Sequence, residues 1–264
     1  MDKIRLGMIG CGNMAASHMH GYRRLAKRGV DWFEVAAVCD PQIDNARQFA
    51  ASLGELLPTP TVYADFGEML HSESLHCIDT STPHFLHHSI AVQSMEAGLD
   101  VMVEKPLGVT IKAARLMCDC AERTGRILST AEQVRRWTGP RAVKWAIDEV
   151  HIGQPQAFFI HASGGTTEHP PDTDEPHGDH TWRQDKLTGG GGPIFDGGVH
   201  TADLLLHLFG DLDSVYASVN RLRRAPNRGP EGEAIVPTVE DTISRWCRAV
   251  AYCGRVYSVN EMRS

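Results

Sequence analysis

The feature that most constrains the fold of this chain is a glycine-rich turn close to its first residue, set between a short apolar run and a helical stretch. Residues 3–9 predict a β-strand and residues 16–27 predict a helix. Between them Gly10 permits a tight turn, Gly12 lets the backbone approach a ligand closely, and Ala15 is small enough for close helix–strand packing. The pattern on its own also fits a simple tight turn, so its context must decide.

Strand-length apolar runs alternate with helical stretches as far as residue 130. Strands are predicted over residues 33–39, 61–63, 75–80, 101–103 and 126–130, and helices over residues 43–53, 66–71, 84–97 and 111–123 with Thr110 as a cap. This alternation implies a parallel sheet with helices on both faces. We therefore predict an α/β chain whose residues 1–130 form a doubly wound Rossmann domain.

The pattern changes over residues 131–264, which predict a second, α+β domain. Helices are predicted over residues 140–150 and 199–209, strands over 157–162, 215–219 and the start of 239–244, and irregular loops over 164–192 and 221–237. A length of 264 residues suits two modest domains. Little of the chain follows the last predicted strand, so we expect the second sheet to lack strands.

Composition excludes several classes of protein. The formal net charge of −7 argues against binding to nucleic acid, which needs a basic face. No uninterrupted apolar stretch reaches the roughly 18 residues that a membrane span requires. The seven cysteines are scattered rather than spaced as zinc ligands, which indicates reduced thiols and a cytoplasmic location.

Histidines are numerous, 14 in all, and they invite a metal hypothesis. The densest group is His169, His177 and His180 with Asp179, within one predicted loop. A metal site needs three or four ligands that converge, with a supporting second shell. Nothing in this spacing enforces convergence, so no metal is predicted.

A carboxylate at the end of the second strand favours a dinucleotide at the glycine turn. Asp40 stands where its oxygens can accept hydrogen bonds from the adenosine ribose hydroxyls, and it disfavours a 2′-phosphate there. NAD is therefore favoured over NADP. The pyrophosphate would lie against the helix N-terminus, beside Gly10, Gly12, Asn13 and Met14. Asp40 could instead be a cap or turn residue before Pro41.

Four segments, in order along the chain, carry a resemblance to a known family. They are residues 10–15 with His18, Ser81-Thr82-Pro83 with His87, Glu104-Lys105-Pro106-Leu107, and the glycines 190–192 followed by residues 196–203. With these motifs the chain resembles the glucose-fructose oxidoreductase, inositol dehydrogenase and MocA family of NAD(P)-dependent oxidoreductases. The resemblance implies a Rossmann domain followed by a domain built around an open, mostly antiparallel sheet, which commonly mediates homo-oligomerisation. Relatives continue for many more residues, so we expect a C-terminally truncated member.

The resemblance also implies roles for individual residues. Lys105, Asp196 and His200 would line the nicotinamide pocket, and a second set would lie near the cofactor: Ser81, Thr82, Pro83, His87 and Glu104. Purely structural alternatives remain open: Lys105 could be a surface ion-pair partner, and Asp196 and His200 could be a helix cap and a polar core contact.

Physical chemistry supports the same assignment. Oxidation of an alcohol requires a titratable group beside the hydroxyl, and an ordinary histidine pKa of about 6.5 suits His200 to general acid/base catalysis. Lys105 follows a strand, where its ammonium could stabilise a developing alkoxide. Asp196 precedes His200 by one helical turn and Asp203 follows it, so one helix containing all three would present them on one face.

These observations predict an oxidoreductase that acts on a hydroxyl or keto group of a sugar, polyol or related compound. Trp182 and Arg183 could supply an aromatic wall and a cation for such a substrate, or simply anchor a loop. An alternative is a dinucleotide-binding protein without turnover, because the second domain is predicted to be incomplete. A more distant alternative is a metal-dependent hydrolase that uses the histidine loop.

Overall fold

A six-stranded parallel sheet forms the centre of the first of two units into which the chain divides. The computed structural model describes residues 3–54, 57–153, 155, 181–212, 218–220, 227–228, 234–235, 238–240 and 242–244. The first unit comprises residues 1–131, 174–196 and 225–239, and the second comprises residues 132–173, 197–224 and 240–264.

The strands and helices of the described residues have the following bounds. Strands β1 to β10 are Ile4–Ile9, Phe33–Cys39, Thr61–Tyr63, Cys77–Thr80, Asp100–Val103, Leu128–Thr130, Ser218–Asn220, Asn227–Arg228, Ala234–Ile235 and Thr242–Ser244. Helices α1 to α9 are Asn13–Lys27, Ile43–Leu53, Phe66–Ser72, His87–Glu96, Ile111–Thr124, Thr138–Asp148, Lys186–Gly189, Pro193–Asp196 and Gly198–Phe209.

Strand order confirms the predicted Rossmann sheet. The order is β3-β2-β1-β4-β5-β6, and every neighbouring pair is parallel. The order reverses between β1 and β4, and in open α/β sheets ligands bind outside the carboxyl ends of the strands at such a switch point. Gly10 and Ser81 follow those two strands directly, so the predicted dinucleotide turn lies at this point.

Both faces of the sheet are covered, as a doubly wound fold requires. Met8 packs with α1 and α2 in one apolar cluster, whereas the next residue, Ile9, packs with α4 and α5 in the other. Successive side chains of a strand point to opposite faces, so a strand buried on both sides reads as a continuous apolar run. This accounts for the mostly apolar runs from which the strands were predicted, which do not alternate strictly between apolar and polar residues.

Most element boundaries in this sheet agree with the sequence pattern. Thr110 caps α5 as expected, because its side chain accepts a hydrogen bond from the Ala113 N–H. The predicted helix over residues 84–97 instead begins as a 3₁₀ turn, His84–Leu86, before α4. The Leu86 N–H donates to the Pro83 carbonyl oxygen at 3.0 Å, three residues back, and this bond closes the tighter first turn.

The first unit also contains short elements where irregular loops were predicted. In the described part of 164–192, a 3₁₀ turn at Thr181–Gln184 is followed by α7, and β8 pairs antiparallel with β9 within 221–237. The loop predictions are wrong for these stretches, because elements of two to four residues have no periodicity of their own and here no regular strand–helix alternation surrounds them. Residues 164–180, including the histidine loop, lie outside the described residues.

In the second unit the described elements are a 3₁₀ turn at Val134–Arg136, the helices α6 and α9, and a pair of strands. Strand β7 pairs antiparallel with β10, in agreement with an antiparallel second domain. The predicted strand over residues 157–162 lies outside the described residues. Within the part of the chain that the structure describes, no helix has the length and apolar character needed to cross a membrane.

Candidate functional site

The glycine turn has the geometry that a phosphate cradle needs. Gly10 adopts a φ of +81°, and a Cβ placed there would lie 2.9 Å from the Ser81 carbonyl oxygen. Gly12 faces open space, since a Cβ there would meet nothing within 4 Å. Asn13 and Met14 begin α1, whose first turn carries no acidic side chain. An N-terminus of this kind, with room above it, fits the pyrophosphate of a dinucleotide.

Asp40 is buried beside that turn. One of its oxygens accepts a hydrogen bond from the Cys11 N–H at 2.9 Å, and the other accepts from the Gln42 N–H at 2.9 Å and lies 3.4 Å from the Asn45 amide nitrogen. These bonds fix the carboxylate against the glycine turn. The turn role considered from the sequence is therefore present, and the oxygen that accepts from Cys11 alone keeps acceptor capacity for a ribose hydroxyl.

Lys105 and Asp196 form the central ion pair of the first unit. The Lys105 Nζ donates to Asp196 Oδ1 at 2.7 Å and to the Asp196 carbonyl oxygen at 3.2 Å. Lys105 follows β5 at the carboxyl edge of the sheet, and its peptide bond to Pro106 is cis. Burial favours a neutral Asp196, but the charges beside it, first that of Lys105 and then that of Arg183, together outweigh burial and hold the pKa of that carboxyl below its ordinary value. Asp196 is therefore an anion paired with a cation, ready to bind a polar ligand atom.

Two further side chains surround the Asp196 carboxylate. The Nε of Arg183 lies 3.4 Å from Asp196 Oδ2, and its guanidinium carbon stands 4.7 Å from the Trp182 ring centroid. His84 packs edge-on against the Trp182 ring at 4.6 Å between ring centroids, and its Nδ1 lies 2.9 Å from the Gly189 carbonyl oxygen. Burial lowers the pKa of His84 to about 4, so this imidazole is neutral at neutral pH.

His87 joins two of the predicted cofactor loops. Its fully buried ring places Nδ1 2.9 Å from the Pro106 carbonyl oxygen and Nε2 3.0 Å from the Thr82 carbonyl oxygen. Burial lowers the pKa of His87, and a neutral ring donates to one of these carbonyls at a time. A contribution of His87 to cofactor binding would thus act through the position of the loops that carry Thr82 and Pro106.

A buried network of ionisable side chains lies behind Lys105. The Lys105 N–H donates to Glu104 Oε2 at 2.9 Å, the other Glu104 oxygen lies 3.0 Å from His18 Nε2, and His18 Nδ1 lies 2.7 Å from Asp79. Tyr22 donates to the same Asp79 oxygen. Burial acts to lower the pKa of His18, but the two carboxylates raise it to about 10. A charged His18 between two carboxylates therefore supports the Glu104–Lys105 turn.

In the second unit His200 is paired with a carboxylate that the sequence analysis did not single out. His200 Nδ1 lies 2.9 Å and 2.7 Å from the two oxygens of Glu132. Three residues further along each segment, Arg135 donates through two nitrogens to the Asp203 carboxylate. The segment that holds Glu132 and Arg135 is thereby joined twice to α9.

Asp196 does not belong to the same helix as His200 and Asp203. It is the last residue of α8, whereas α9 begins at Gly198. The shared helical face considered from the sequence required one helix through all three residues, and the structure does not have it. The glycines at 197 and 198 have low helix propensity and favour an interruption. The described side-chain contacts of Asp196 are instead those with Lys105, with Arg183 and with His84, whose Nε2 lies 3.7 Å from Asp196 Oδ1.

The structure adds residues that sequence reasoning missed. Asp79 and Tyr22 complete the His18 network, and Glu132 contacts His200. Asp79 could have been noticed as a charge inside an apolar strand, and Tyr22 follows His18 by one helical turn. Among the described residues no group of three or more histidine, cysteine or carboxylate side chains is arranged to hold a metal ion.

Two family models match consecutive parts of this chain. Residues 4–132 match an oxidoreductase family with an NAD-binding Rossmann fold, GFO/IDH/MocA. Residues 141–248 match the GFO/IDH/MocA C-terminal domain. Both halves of the chain therefore resemble the two domains of one family, in the same order.

Similar proteins of known name include two sugar dehydrogenases. The chain is 27% identical over 228 residues to D-apiose dehydrogenase of Paraburkholderia graminis. This match covers 85% of this chain and 55% of that protein. It is 27% identical over 218 residues to levoglucosan dehydrogenase of Pseudarthrobacter phenanthrenivorans, covering 82% and 54%. A solved NAD binding oxidoreductase from Klebsiella pneumoniae superposes with a TM-score of 0.72 at 26% identity, covering 90% of this chain and 61% of that one. The chain thus spans little more than half the length of these named relatives.

Proposed function

Because this chain belongs to the GFO/IDH/MocA oxidoreductase family, we propose that it transfers a hydride between a nicotinamide dinucleotide and a hydroxyl or keto group of a sugar, polyol or related compound. The names of the two dehydrogenases described above support a sugar-like substrate. The observation that carries the proposal is the Lys105–Asp196 pair, 2.7 Å between Nζ and Oδ1, at the carboxyl edge of the Rossmann sheet.

The glycine turn supports the binding of NAD. The first-turn N–H groups of α1 would receive the pyrophosphate, and the open space over Gly12 leaves room for it. Asp40 would accept hydrogen bonds from the ribose hydroxyls and would repel a 2′-phosphate, so we propose NAD rather than NADP. Bound there, the nicotinamide would supply the hydride acceptor or donor.

Lys105 supplies the charge that the reaction needs at the substrate oxygen. Its ammonium is fixed by two acceptor oxygens of Asp196, which leaves one of its three N–H donors for a ligand. A donor held in this way stabilises the alkoxide charge that develops on the substrate oxygen when the hydroxyl loses its proton. The hydride then leaves the neighbouring carbon and the carbonyl forms. His18 and Glu104 act behind it, because Glu104 accepts from the Lys105 N–H and fixes the turn.

Three further side chains have roles in this proposal. His200 is proposed as the general acid/base that takes or returns the hydroxyl proton. Trp182 and Arg183 would contact the sugar-like substrate through an aromatic face and a cation, and the contact of Arg183 with Asp196 supports this place for them.

Absorbance at 340 nm tests the proposal directly. The full chain is incubated with NAD or NADP and a panel of sugars and polyols, and reduction of the cofactor is followed. We expect turnover with NAD, and a loss of at least about 100-fold in kcat for Lys105→Met, the order expected when one oxyanion donor is removed. Lys144→Met is the matched control, because Lys144 forms an exposed pair with Asp148 on α6. Binding of NAD without turnover of any substrate would contradict the proposal and favour a dinucleotide-binding protein.

Two broader features belong to the same proposal. We propose a cytoplasmic location, supported by the free state of all five cysteines within the described residues. We also propose homo-oligomerisation through the sheet of the second domain, supported by the family of that domain. Fractionation of the native host and light scattering of the purified protein test these two statements.

A further inference from the structure

The chemistry of the two side chains determines which atom donates the hydrogen bond between His200 and Glu132. Both Glu132 oxygens lie on the Nδ1 side of the ring, at 2.9 Å and 2.7 Å. An ionised carboxylate can only accept hydrogen bonds, so Nδ1 must carry the hydrogen. In a neutral ring the hydrogen at Nδ1 leaves Nε2 with a lone pair. Nε2 is then the nitrogen that can accept a proton.

Glu132 is also held in place by the backbone of its own segment. Its Oε1 accepts a hydrogen bond from the Val134 N–H at 2.9 Å, and its side chain is only 9% exposed. The residue lies between the end of β6 and the short turn Val134–Arg136. A carboxylate bound by its own backbone loses little freedom when it orients a partner, so the contact is preorganised.

A second pair next to this one fixes the same two segments. Arg135 and Asp203 each lie three residues beyond Glu132 and His200, and they make a two-nitrogen ion pair, a geometry that restricts rotation of both side chains. This ion pair sets the distance between the turn and α9. Glu132 is then left to select the orientation and tautomer of the imidazole.

We infer that Glu132 is a positioning residue that fixes the Nδ1–H tautomer of His200 and so makes Nε2 the proton acceptor. This inference rests on the proposed function, in which His200 is the acid/base. In the oxidation, a substrate hydroxyl gives its proton to Nε2, its carbon gives a hydride to the nicotinamide, and a carbonyl results. Glu132 keeps its charge throughout and faces the imidazolium that forms, as the aspartate does in serine-hydrolase triads.

Nitrogen NMR of the imidazole rings tests the tautomer without any turnover. Uniformly ¹⁵N-labelled full chain is recorded at about pH 8.5, where ordinary histidines are neutral, and the His200 signals are identified by their loss in His200→Gln. We expect a protonated Nδ1 and an unprotonated Nε2 in the wild type. Glu132→Ala should move the ring toward the Nε2–H form, whereas Glu132→Gln, which keeps an acceptor oxygen, should retain the wild-type tautomer. Glu96→Gln, at an exposed pair with Arg123, is the matched control.

Kinetics give the second measurement. Glu132→Ala should lower kcat by at least about 10-fold and by no more than His200→Gln does, since acid/base catalysis contributes about 10²–10⁴ in rate. KM for NAD should stay within about twofold, and Glu132→Gln should recover part of the loss. An Nε2–H ring in the wild type, or an unchanged tautomer in Glu132→Ala, overturns the inference. If the tautomer responds as expected but none of the substrates tested supports reduction of NAD by the wild type, the proposed function fails while the positioning contact stands.

Discussion

Three glycine-to-alanine variants separate the reasons for which this chain uses glycine. Gly98 has a φ of +87°, and a Cβ there would meet nothing within 4 Å, so Gly98→Ala should cost only the left-handed conformation, about 1–2 kcal/mol. Gly10 has a similar φ of +81°, but a Cβ there would lie 2.9 Å from the Ser81 carbonyl oxygen. A rigid backbone contact of that kind adds about 1–3 kcal/mol. Gly10→Ala should therefore be the less stable of the two by about 2 kcal/mol.

Gly12→Ala tests the binding of the dinucleotide separately from the stability of the fold. Gly12 has neither a left-handed φ nor a close neighbour, so its replacement should leave the unfolding temperature unchanged. The methyl group would occupy the space over the turn where the pyrophosphate is expected, and NAD affinity should fall by at least about tenfold, or 1.4 kcal/mol.

Thermal unfolding and calorimetric NAD titration of the four proteins provide the assay. The gap of about 2 kcal/mol between Gly98→Ala and Gly10→Ala corresponds to roughly 4–8 °C for a chain of this class. The reasoning about the turn is refuted if Gly12→Ala binds NAD as tightly as the wild type. The reasoning about the backbone contact is refuted if Gly10→Ala and Gly98→Ala unfold at the same temperature.

Two further predictions concern ionisable groups. The pKa of His18 is about 10 in the folded protein against an ordinary 6.5, so the charged ring stabilises the fold fully below about pH 6.5 and this stabilisation is lost as the pH rises toward 10. The unfolding temperature of the wild type should therefore fall between these pH values by more than that of His18→Gln. Parallel curves of unfolding temperature against pH would contradict the network. In Lys105→Met the burial of Asp196 remains while its strongest cationic partner is lost, so the pKa of Asp196 should rise. A ¹³C titration of the carboxyl groups measures this pKa, and the same value in the variant and the wild type would contradict the prediction.

The order of the elements could be derived from the sequence because it depends on local patterns. Strand β2 and helix α2 have the predicted bounds, since alternating helical and extended apolar runs are properties of neighbouring residues. The glycine turn was also accessible, because the steric demand at Gly10 follows from a strand that turns at once into a helix. The short elements α7 and β8 were missed, because a run of two to four residues has no measurable period and these two lie outside the strand–helix alternation that revealed the equally short β3.

Motif residues could be named from the sequence, but their partners could not. Lys105 and Asp196 were both expected in the site, whereas their direct ion pair joins positions 91 residues apart. Glu132 drew no attention, because nothing near it in the chain distinguishes it from a solvated carboxylate, and its contact with His200 spans 68 residues.

The sequence by itself determined the Rossmann topology, the glycine cradle and the residue types available for catalysis, all of which follow from short-range sterics and periodicity. Only the tertiary structure decided which charges are paired: Lys105 with Asp196, His18 between Asp79 and Glu104, and His200 with Glu132. The physical reason is that the ionisation and orientation of a side chain are set by burial and by neighbours within a few ångströms. Those neighbours come from distant elements, and packing brings them together.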